Sequence, residues 1–252
     1  MITIHKIIYS LLALFTLLKN LRHFPNVAGY FTKKPVQISM KNGLILNTGQ
    51  PMDLITIKEV ILDDEYRLKR LKNNIKVVID VGAGLGDFAL FAARQFPKAK
   101  IFSFESNKEQ YELLKENLRI NIIQNVVPYN VAVGTKDRYT LFIAPFNVHA
   151  STVKTSRTIK EIKVKGVKLD RYIESPIDLL KIDCEGGEID VLNSIFPNKM
   201  VFIKQIVIEY HNHIIQNEDQ KIISILKKYH FKIEKARHSI VPSTGFIFGT
   251  KS

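Results

Sequence analysis

The chain has 252 residues, of which 46% are hydrophobic and 24% are charged. These proportions are typical of a globular protein and exclude wholesale disorder, and a chain of this length needs no disulfide or metal to fold. The single cysteine, Cys184, excludes an internal disulfide framework and a cysteine-based zinc site, and it fits a reducing compartment. A net charge of +13 favours anionic partners, but the lysines are scattered, so a solvated basic surface is the simpler interpretation.

The first apolar segment, residues 4–21, contains an uncharged run of 12 residues from Ile7 to Leu18. A membrane-spanning helix needs about 17–25 such residues, and no small-residue cleavage site follows, so neither a simple span nor a secretory signal is favoured. Three interpretations stay open: a helix docked on its own domain, a monotopic membrane helix or dimer contact, and a tilted anchor. We expect a cytoplasmic protein, with peripheral membrane contact through residues 4–21 as an open alternative.

The next stretch predicts a hairpin followed by a helix. Residues 36–40 alternate between apolar and polar side chains before Asn42-Gly43, and Asn-Gly between apolar strands is the strongest short signal for a hairpin. A helical pattern then runs over residues 53–71, with an interruption near Asp63.

From residue 76 onwards short apolar strands alternate with amphipathic helices, which predicts a sheet covered by helices on both faces. The predicted strands are Lys76–Asp80, Ala99–Glu105, Val126–Val133, Leu179–Ile182 and Ile206–Glu209, with a closing antiparallel pair at Phe231–Glu234 and Phe246–Phe248. The predicted fold class is α/β: a doubly wound, Rossmann-like sheet, mostly parallel, with an antiparallel C-terminal hairpin. We assign residues 1–52 to N-terminal helix and hairpin decoration and residues 53–252 to the domain, with an insertion at about 135–170.

The first strand ends in Asp80 and leads into three glycines, Gly82, Gly84 and Gly86. A dinucleotide fingerprint has the spacing G-x-G-x-x-G for a pyrophosphate, whereas here the third glycine comes one residue early. S-adenosylmethionine has no phosphate, so it fits the shorter loop. Asp80 would also favour the positive charges of its sulfonium and amino groups. Glu105 stands 23 positions after Gly82, where a carboxylate can accept both ribose hydroxyls. An NAD enzyme and an α/β domain without a cofactor are the alternatives.

Six stretches carry a resemblance to a known family: Val78–Gly86, Phe104-Glu105 with Leu114, Asn117 and Asn121, Val131–Gly134, Leu169-Asp170, Leu180–Glu188 and Ile206–Glu209. Over about residues 55–250 the sequence resembles the class I S-adenosylmethionine-dependent methyltransferases, and specifically the FkbM family. The resemblance implies S-adenosylmethionine as cofactor, with contacts from Asp80, Gly82, Ala83, Gly84, Gly86, Glu105, Ser106, Ala132 and Asp183. The family usually has Asn in place of Gly84 and Pro in place of Ser106. Glycine still permits close approach of a ligand, and we expect Ser106 to cap the next helix.

Four titratable residues follow the fourth and fifth strands: Asp183, Glu185, Glu209 and His211. Because ligands of doubly wound sheets bind beyond the carboxyl ends of the strands, we expect these catalytic candidates to converge there. Methyl transfer depends chiefly on orientation in a dry site, and a base assists an alcohol acceptor. His211, with an unperturbed pKa of about 6.5, and Glu185 are the candidate bases. A magnesium or manganese site that adds His213 is a weaker alternative, because the spacing fits no ligand pattern, and we predict no metal.

The resemblance implies O-methylation of a hydroxyl on a sugar, glycan or small-molecule metabolite, with Ser151 and Thr152 of the insertion as candidate acceptor contacts. Two absences disfavour nucleic acid as the acceptor despite the basic charge. No Pro precedes Cys184, as it does in cytosine-C5 methyltransferases, and Pro128-Tyr129 lacks the Asn/Asp-Pro-Pro-aromatic loop of amino-methylating enzymes. A nucleic-acid methyltransferase and a catalytically silent fold that binds a membrane or partner surface are the alternatives.

Overall fold

The computed structural model describes residues 12–13, 15–23, 25, 29, 34–71, 74–143, 150–154, 158–238 and 241–251. Within these ranges the strands are β1 (Val36–Ser39), β2 (Ile45–Thr48), β3 (Val77–Val81), β4 (Lys100–Phe104), β5 (Val126–Tyr129), β6 (Ala132–Val133), β7 (Arg138–Ile143), β8 (Lys160–Val167), β9 (Leu179–Ile182), β10 (Gln205–His211), β11 (Lys232–Arg237) and β12 (Thr244–Thr250). The helices are α1 (Met52–Ile57), which continues as a π-helical turn (Lys58–Leu62), α2 (Asp87–Gln95), α3 (Lys108–Ile120), α4 (Glu188–Asn193) and α5 (Glu218–Lys228). Short 3-10 turns lie at Leu68–Arg70, Leu169–Tyr172 and Met200–Phe202.

The central element is a seven-stranded sheet with the strand order β11-β12-β10-β9-β3-β4-β5. The strands from β10 to β5 are parallel, while β12 runs antiparallel to both of its neighbours. Successive side chains of β3 enter different cores, because side chains of a strand alternate between faces. Val78 joins the core packed by α2 and α3, whereas Ile79 and Val81 join the core packed by α4 and α5. This arrangement confirms the predicted doubly wound α/β sheet and its antiparallel C-terminal hairpin.

The strand order reverses between β3 and β9. The chain moves outward from β3 to β4 and β5, then returns to β9 on the other side of β3 and moves outward again to β10. A crevice forms at such a point, beyond the carboxyl ends of the strands. The glycine loop after β3 and the loop after β9 are in close contact here, since a Cβ atom on Gly82 would lie 1.6 Å from the carbonyl oxygen of Asp183.

Strands β1 and β2 form the predicted antiparallel hairpin, and the glycine of its turn has a φ of +87°. Asn117 of α3 and Asn121, the residue that follows this helix, bind the backbone of β2. Asn117 accepts from the Asn47 N–H at 2.6 Å and donates to the Asn47 carbonyl at 3.0 Å, and Asn121 makes the same pair of bonds to Ile45. Asn117 also donates to the carbonyl of Leu85 in the glycine loop, at 2.9 Å. One side chain therefore connects the hairpin, α3 and the glycine loop.

The described part of the predicted N-terminal segment is helical over residues 15–20. Leu17 and Leu21 are buried, and Leu21 packs in the same core as the hairpin, whereas Phe15 and Leu18 are exposed. The rest of that segment lies outside the described residues. No helix in the described ranges is long and apolar enough to cross a membrane.

Two local predictions are wrong. The residue that caps α3 is Asn107 rather than Ser106: the Asn107 side chain accepts from the Glu109 N–H at 3.0 Å. The single strand predicted after α3 is divided into β5, in the large sheet, and β6, which pairs with β8 in a separate three-stranded sheet. The division occurs at Asn130, whose side chain donates to the carbonyls of Glu105 and Ser106 and turns the chain out of the large sheet.

Replacing Asn117 by alanine should lower the free energy of unfolding by about 2–4 kcal/mol, because this side chain is fully buried and makes three hydrogen bonds, one of them to the buried carbonyl of Leu85. Asn121→Ala is the matched control. Asn121 is only half-buried, so water replaces its bonds, and we expect a loss of about 1 kcal/mol. Urea unfolding of both variants measures the difference, and equal losses would show that the hairpin is not fastened chiefly through Asn117.

Candidate active site

A buried lysine lies under the glycine loop. Lys181 of β9 is 2% exposed, and its Nζ donates to the Gly82 carbonyl at 2.6 Å. The same nitrogen lies 3.2 Å from Asp80 Oδ1 and 3.6 Å from Asp183 Oδ2. Burial lowers the pKa of the Lys181 ammonium, but the Asp80 and Asp183 carboxylates outweigh burial and raise that pKa above its usual range. Lys181 is therefore charged, and it ties the end of β3 to the end of β9.

Asp80 lies below the glycine loop and is completely buried. Burial raises the pKa of its carboxyl group, and the nearby Lys181 ammonium offsets part of that rise. Asp80 lines neither of the two spaces described below. Its charge faces Lys181, so this placement does not favour the direct attraction to a cofactor that the sequence predicts.

A cleft opens at the point where the strand order reverses, with about 640 Å³ of empty space that is partly open to solvent. The residues that line this main cleft are Val81, Gly82, Phe104, Glu105, Ser106, Gln110, Val131, Ala132, Val133, Tyr139, Leu141, Ala150, Thr152, Asp183, Cys184, Glu185, Gly187 and Asp190. Of the residues predicted to contact the cofactor, the main cleft brings together Gly82, Glu105, Ser106, Ala132 and Asp183.

A second space of about 330 Å³, the side pocket, adjoins the same loop. Its lining residues are Thr56, Val60, Tyr66, Gly82, Ala83, Gly84, Leu85, Asp87, Phe88, Lys181 and Asp183. It includes the predicted residues Ala83 and Gly84, whereas Gly86 lines neither space and precedes the first residue of α2. Gly82 and Asp183 line both spaces, so the main cleft and the side pocket meet at these two residues.

Glu105 is oriented by the backbone around it. Its Oε2 accepts from the Gly84 N–H at 2.8 Å, and its Oε1 accepts from the Asn107 N–H at 2.7 Å. Glu105 also lines the main cleft. The structure therefore places a fixed, negatively charged acceptor where the sequence predicts contacts to ribose hydroxyls.

The four predicted catalytic residues lie together at the carboxyl ends of β9 and β10. The Nε2 atom of His211 lies 3.9 Å from Asp183 Oδ1, 3.7 Å from Glu185 Oε2 and 3.8 Å from Glu209 Oε1. Burial lowers the pKa of the His211 imidazole, but Glu185, Glu188 and Glu209 outweigh burial and raise that pKa well above 6.5. The pKa of the Glu209 carboxyl is also raised well above its usual range, by burial and by the Asp183 carboxylate.

Tyr66 completes this cluster and was not predicted. Its hydroxyl lies 2.8 Å from Asp183 Oδ2 and 3.0 Å from Glu209 Oε2. Burial and the two acids raise the pKa of the Tyr66 hydroxyl well above 10, so the hydroxyl is neutral and holds one proton. The Tyr66 hydroxyl therefore donates toward the carboxyl groups of Asp183 and Glu209, and it links the end of β9 to β10.

The loop after β9 is held in an unusual conformation. Glu185 has a φ of +51°, in the left-handed region that is uncommon for a residue with a side chain. Ser151 of the insertion is buried and donates from Oγ to the Glu185 carbonyl at 2.6 Å. Thr152 lines the main cleft beside the predicted cofactor contacts. The two predicted acceptor contacts therefore lie apart: Ser151 supports the loop that presents Glu185, and Thr152 faces the cleft.

Two groups of three described side chains have donor atoms within 4.8 Å of one another, close enough to hold a metal ion: Asp183 with Glu188 and His211, and Glu59 with Glu65 and His238. In the first group the Glu188 carboxylate already accepts from the N–H groups of Cys184 and Gly186. In the second, His238 Nδ1 accepts from the Val241 N–H, so Nε2 of the ring carries the proton and faces the acids. These contacts favour hydrogen-bonded ion pairs, and a site without metal stays a prediction.

The family model for the methyltransferase FkbM domain matches residues 80–233. Methyltransferase sdnD of Sordaria araneosa is 27% identical over 190 residues, which cover 60% of this chain and 72% of that protein. Hexuronic acid methyltransferase AglP of Haloferax volcanii is 26% identical over 155 residues, which cover 60% of this chain and 62% of that protein.

The crystal structure of a methyltransferase FkbM from Methylobacillus flagellatus is similar in fold. Its TM-score is 0.50 at 16% sequence identity, with 73% of this chain and 46% of that chain covered. The similarity confirms the fold class predicted from the sequence, the sheet of the class I methyltransferases.

Replacing Lys181 by methionine should lower the free energy of unfolding by about 3–5 kcal/mol, because Asp80 and Asp183 lose the cation that compensates them. The double variant Lys181→Met/Asp80→Asn removes one uncompensated carboxylate and should recover more than half of that loss. Without Lys181 the pKa of Asp80 rises further, so the deficit should be larger at pH 7 than at pH 5. Urea unfolding at the two pH values measures this, and no recovery in the double variant would contradict it.

Proposed function

This chain belongs to the FkbM methyltransferase family, and from that premise we propose that it moves the methyl group of S-adenosylmethionine to a hydroxyl on a sugar, glycan or small-molecule acceptor. One observation carries the proposal. The main cleft, with Glu105 on one wall, reaches Asp183, which is also a member of the cluster around His211. A cofactor held in that cleft would therefore end beside a group of residues that combines an imidazole with several carboxyl groups at the ends of β9 and β10.

The residues of the main cleft suit S-adenosylmethionine in their chemistry. Glu105 offers lone pairs to vicinal ribose hydroxyls, and the apolar side chains of Val133 and Leu141 offer a surface for an adenine ring. When bound, the cofactor supplies an electrophilic methyl group on a positively charged sulfur. The carboxylates of Asp183 and Glu185 favour a positive charge at that end of the cleft.

His211 is the group that we assign as base. Its Nε2 takes the proton of the acceptor hydroxyl as the new bond between oxygen and methyl carbon forms and the bond between sulfur and methyl carbon breaks. Asp183, which lines the main cleft, is placed to fix the hydroxyl by a hydrogen bond, and the burial of His211 limits the access of water to the base. The printed name of the hexuronic acid methyltransferase relative supports a sugar as the first acceptor class to test.

Glu105→Gln should weaken the binding of S-adenosylmethionine about 10–100-fold, because a neutral amide replaces charge-assisted acceptors worth about 1.5–3 kcal/mol. Isothermal titration calorimetry measures the dissociation constant. Glu109→Gln is the matched control: this glutamate stands four positions after Glu105, in the first turn of α3, but is exposed, so its variant should bind within about twofold of the wild type. Equal affinities for the wild type and both variants would show that the cofactor does not bind beside Glu105 in the main cleft.

His211→Gln should lower kcat by about 10²–10⁴-fold while S-adenosylmethionine binds with nearly unchanged affinity, because only the proton acceptor is lost. Release of S-adenosylhomocysteine in the presence of uronic acids, neutral sugars and simple alcohols measures the rate. His213→Gln is the control, since this nearby histidine is exposed and lies outside the cluster. A wild-type rate in His211→Gln would show that another residue is the base.

A further inference from the structure

A fully buried carboxylate lies against the proposed base. Glu188 is the first residue of α4 and is 0% exposed. Its Oε1 accepts from the Cys184 N–H at 3.0 Å, and its Oε2 accepts from the Gly186 N–H at 2.9 Å. The His211 Nδ1 atom lies 3.2 Å from the same Oε1. Glu188 therefore contacts both the loop that presents Glu185 and the imidazole of His211.

The contact with Glu188 determines which nitrogen of His211 carries a proton. A carboxylate only accepts hydrogen bonds, so Nδ1 must be the N–H and Nε2 must hold the lone pair when the ring is neutral. The groups that face Nε2 are Asp183, Glu185 and Glu209, at 3.7–3.9 Å, which is longer than a hydrogen bond. Within the described residues, Nε2 is thus directed toward these three carboxyl groups, of which Asp183 and Glu185 line the main cleft, and it has no hydrogen-bond partner of its own.

The remaining neighbours of His211 support a negative charge on Glu188. The carboxyl group of Glu218, in the first turn of α5, accepts from the His211 backbone N–H at 2.6 Å. Burial and the Glu188 carboxylate raise the pKa of Glu218 to about 8, so Glu218 is the member of this pair that keeps a proton. Burial raises the pKa of Glu188, but the bond to His211 outweighs burial and lowers it. His213, the other titratable neighbour, packs edge-on with its ring centre 5.8 Å from that of His211.

We propose that Glu188 is a positioning residue for methyl transfer: it fixes the Nδ1–H tautomer and the orientation of His211, so that Nε2 takes the acceptor proton. This inference rests on the proposed function. The negative charge of Glu188 also stabilises the imidazolium that forms as the proton arrives. The same carboxylate fixes the Cys184–Gly186 backbone, so the base and the loop that carries Glu185 share one anchor.

The test compares Glu188→Gln with Asp53→Asn over a range of pH. Asp53 is also a fully buried acid at the start of a helix, and it accepts from two backbone N–H groups, those of Gly49 and Gln50. Its variant controls for a loss of stability without a change near His211. In the wild type, activity should rise with pH as His211 loses its proton, with an apparent pKa above 6.5 that belongs to the coupled cluster.

Glu188→Gln should lower kcat about 10–100-fold and move that rising limb to lower pH by about one unit, because the imidazolium loses a stabilising charge. Cofactor affinity should stay within about threefold, and Asp53→Asn should keep the wild-type pH profile. A loss of rate with an unchanged limb would show that Glu188 acts only through the fold, and would overturn the proposal.

Nitrogen-15 NMR of the His211 ring tests the same proposal without an acceptor. The wild type should show the Nδ1–H tautomer when neutral, and Glu188→Gln should show a lower pKa for the His211 imidazole. An Nε2–H tautomer, or an unchanged pKa in the variant, would overturn the positioning function even if methyl transfer is confirmed. If the NMR result holds but no acceptor hydroxyl is methylated, the proposed function fails and the contact between Glu188 and His211 stands.

Discussion

The candidate site depends on one buried cation. Asp80 and Lys181 are direct partners in the register of β3 and β9, and Lys181 Nζ also bonds to the Gly82 carbonyl. The ammonium group therefore joins the two central strands at the point where both end. Without the Lys181 ammonium, the carboxylates of Asp80 and Asp183 would lie close together with no compensating charge. The Gly82 carbonyl in the glycine loop would also lose its hydrogen bond. The position of Asp183, which both spaces share, follows from this arrangement.

The acidic groups beyond Lys181 are tolerated because protons are distributed among them. Burial and neighbouring carboxylates raise the pKa values of Glu209 and Glu218, whereas the bond to His211 lowers the pKa of Glu188. Both acids with raised pKa values accept a hydrogen bond: Glu209 from the Tyr66 hydroxyl, and Glu218 from the His211 backbone N–H. The cluster thus separates carboxyl groups of raised pKa from one of lowered pKa within a small volume. Such separation is typical of sites that perform proton transfer.

How much of this was predictable depends on whether a residue is part of a local pattern. The glycine loop, Glu105, Asp183 and His211 follow strand ends, and the topology of a doubly wound sheet brings strand ends together, so the sequence predicts their convergence. Tyr66 stands in no motif, and only the folded chain places it beside acids that follow it by 117 and 143 positions. Likewise, a lysine in an apolar strand has no evident function until the register with Asp80 is known. The cap of α3 was missed because Ser106 and Asn107 are both good capping residues.

The contacts of Tyr66 also have a kinetic consequence. They join the segment before the sheet to residues near its last strands, across 117 and 143 positions of the chain. Contacts between such distant residues form late, because the entropy of closing long loops is lost before any bond is gained. During synthesis Tyr66 leaves the ribosome well before Asp183 and Glu209, so the cluster cannot assemble on a nascent chain that lacks β10. Catalytic competence would therefore report on the addition of β10 to the sheet.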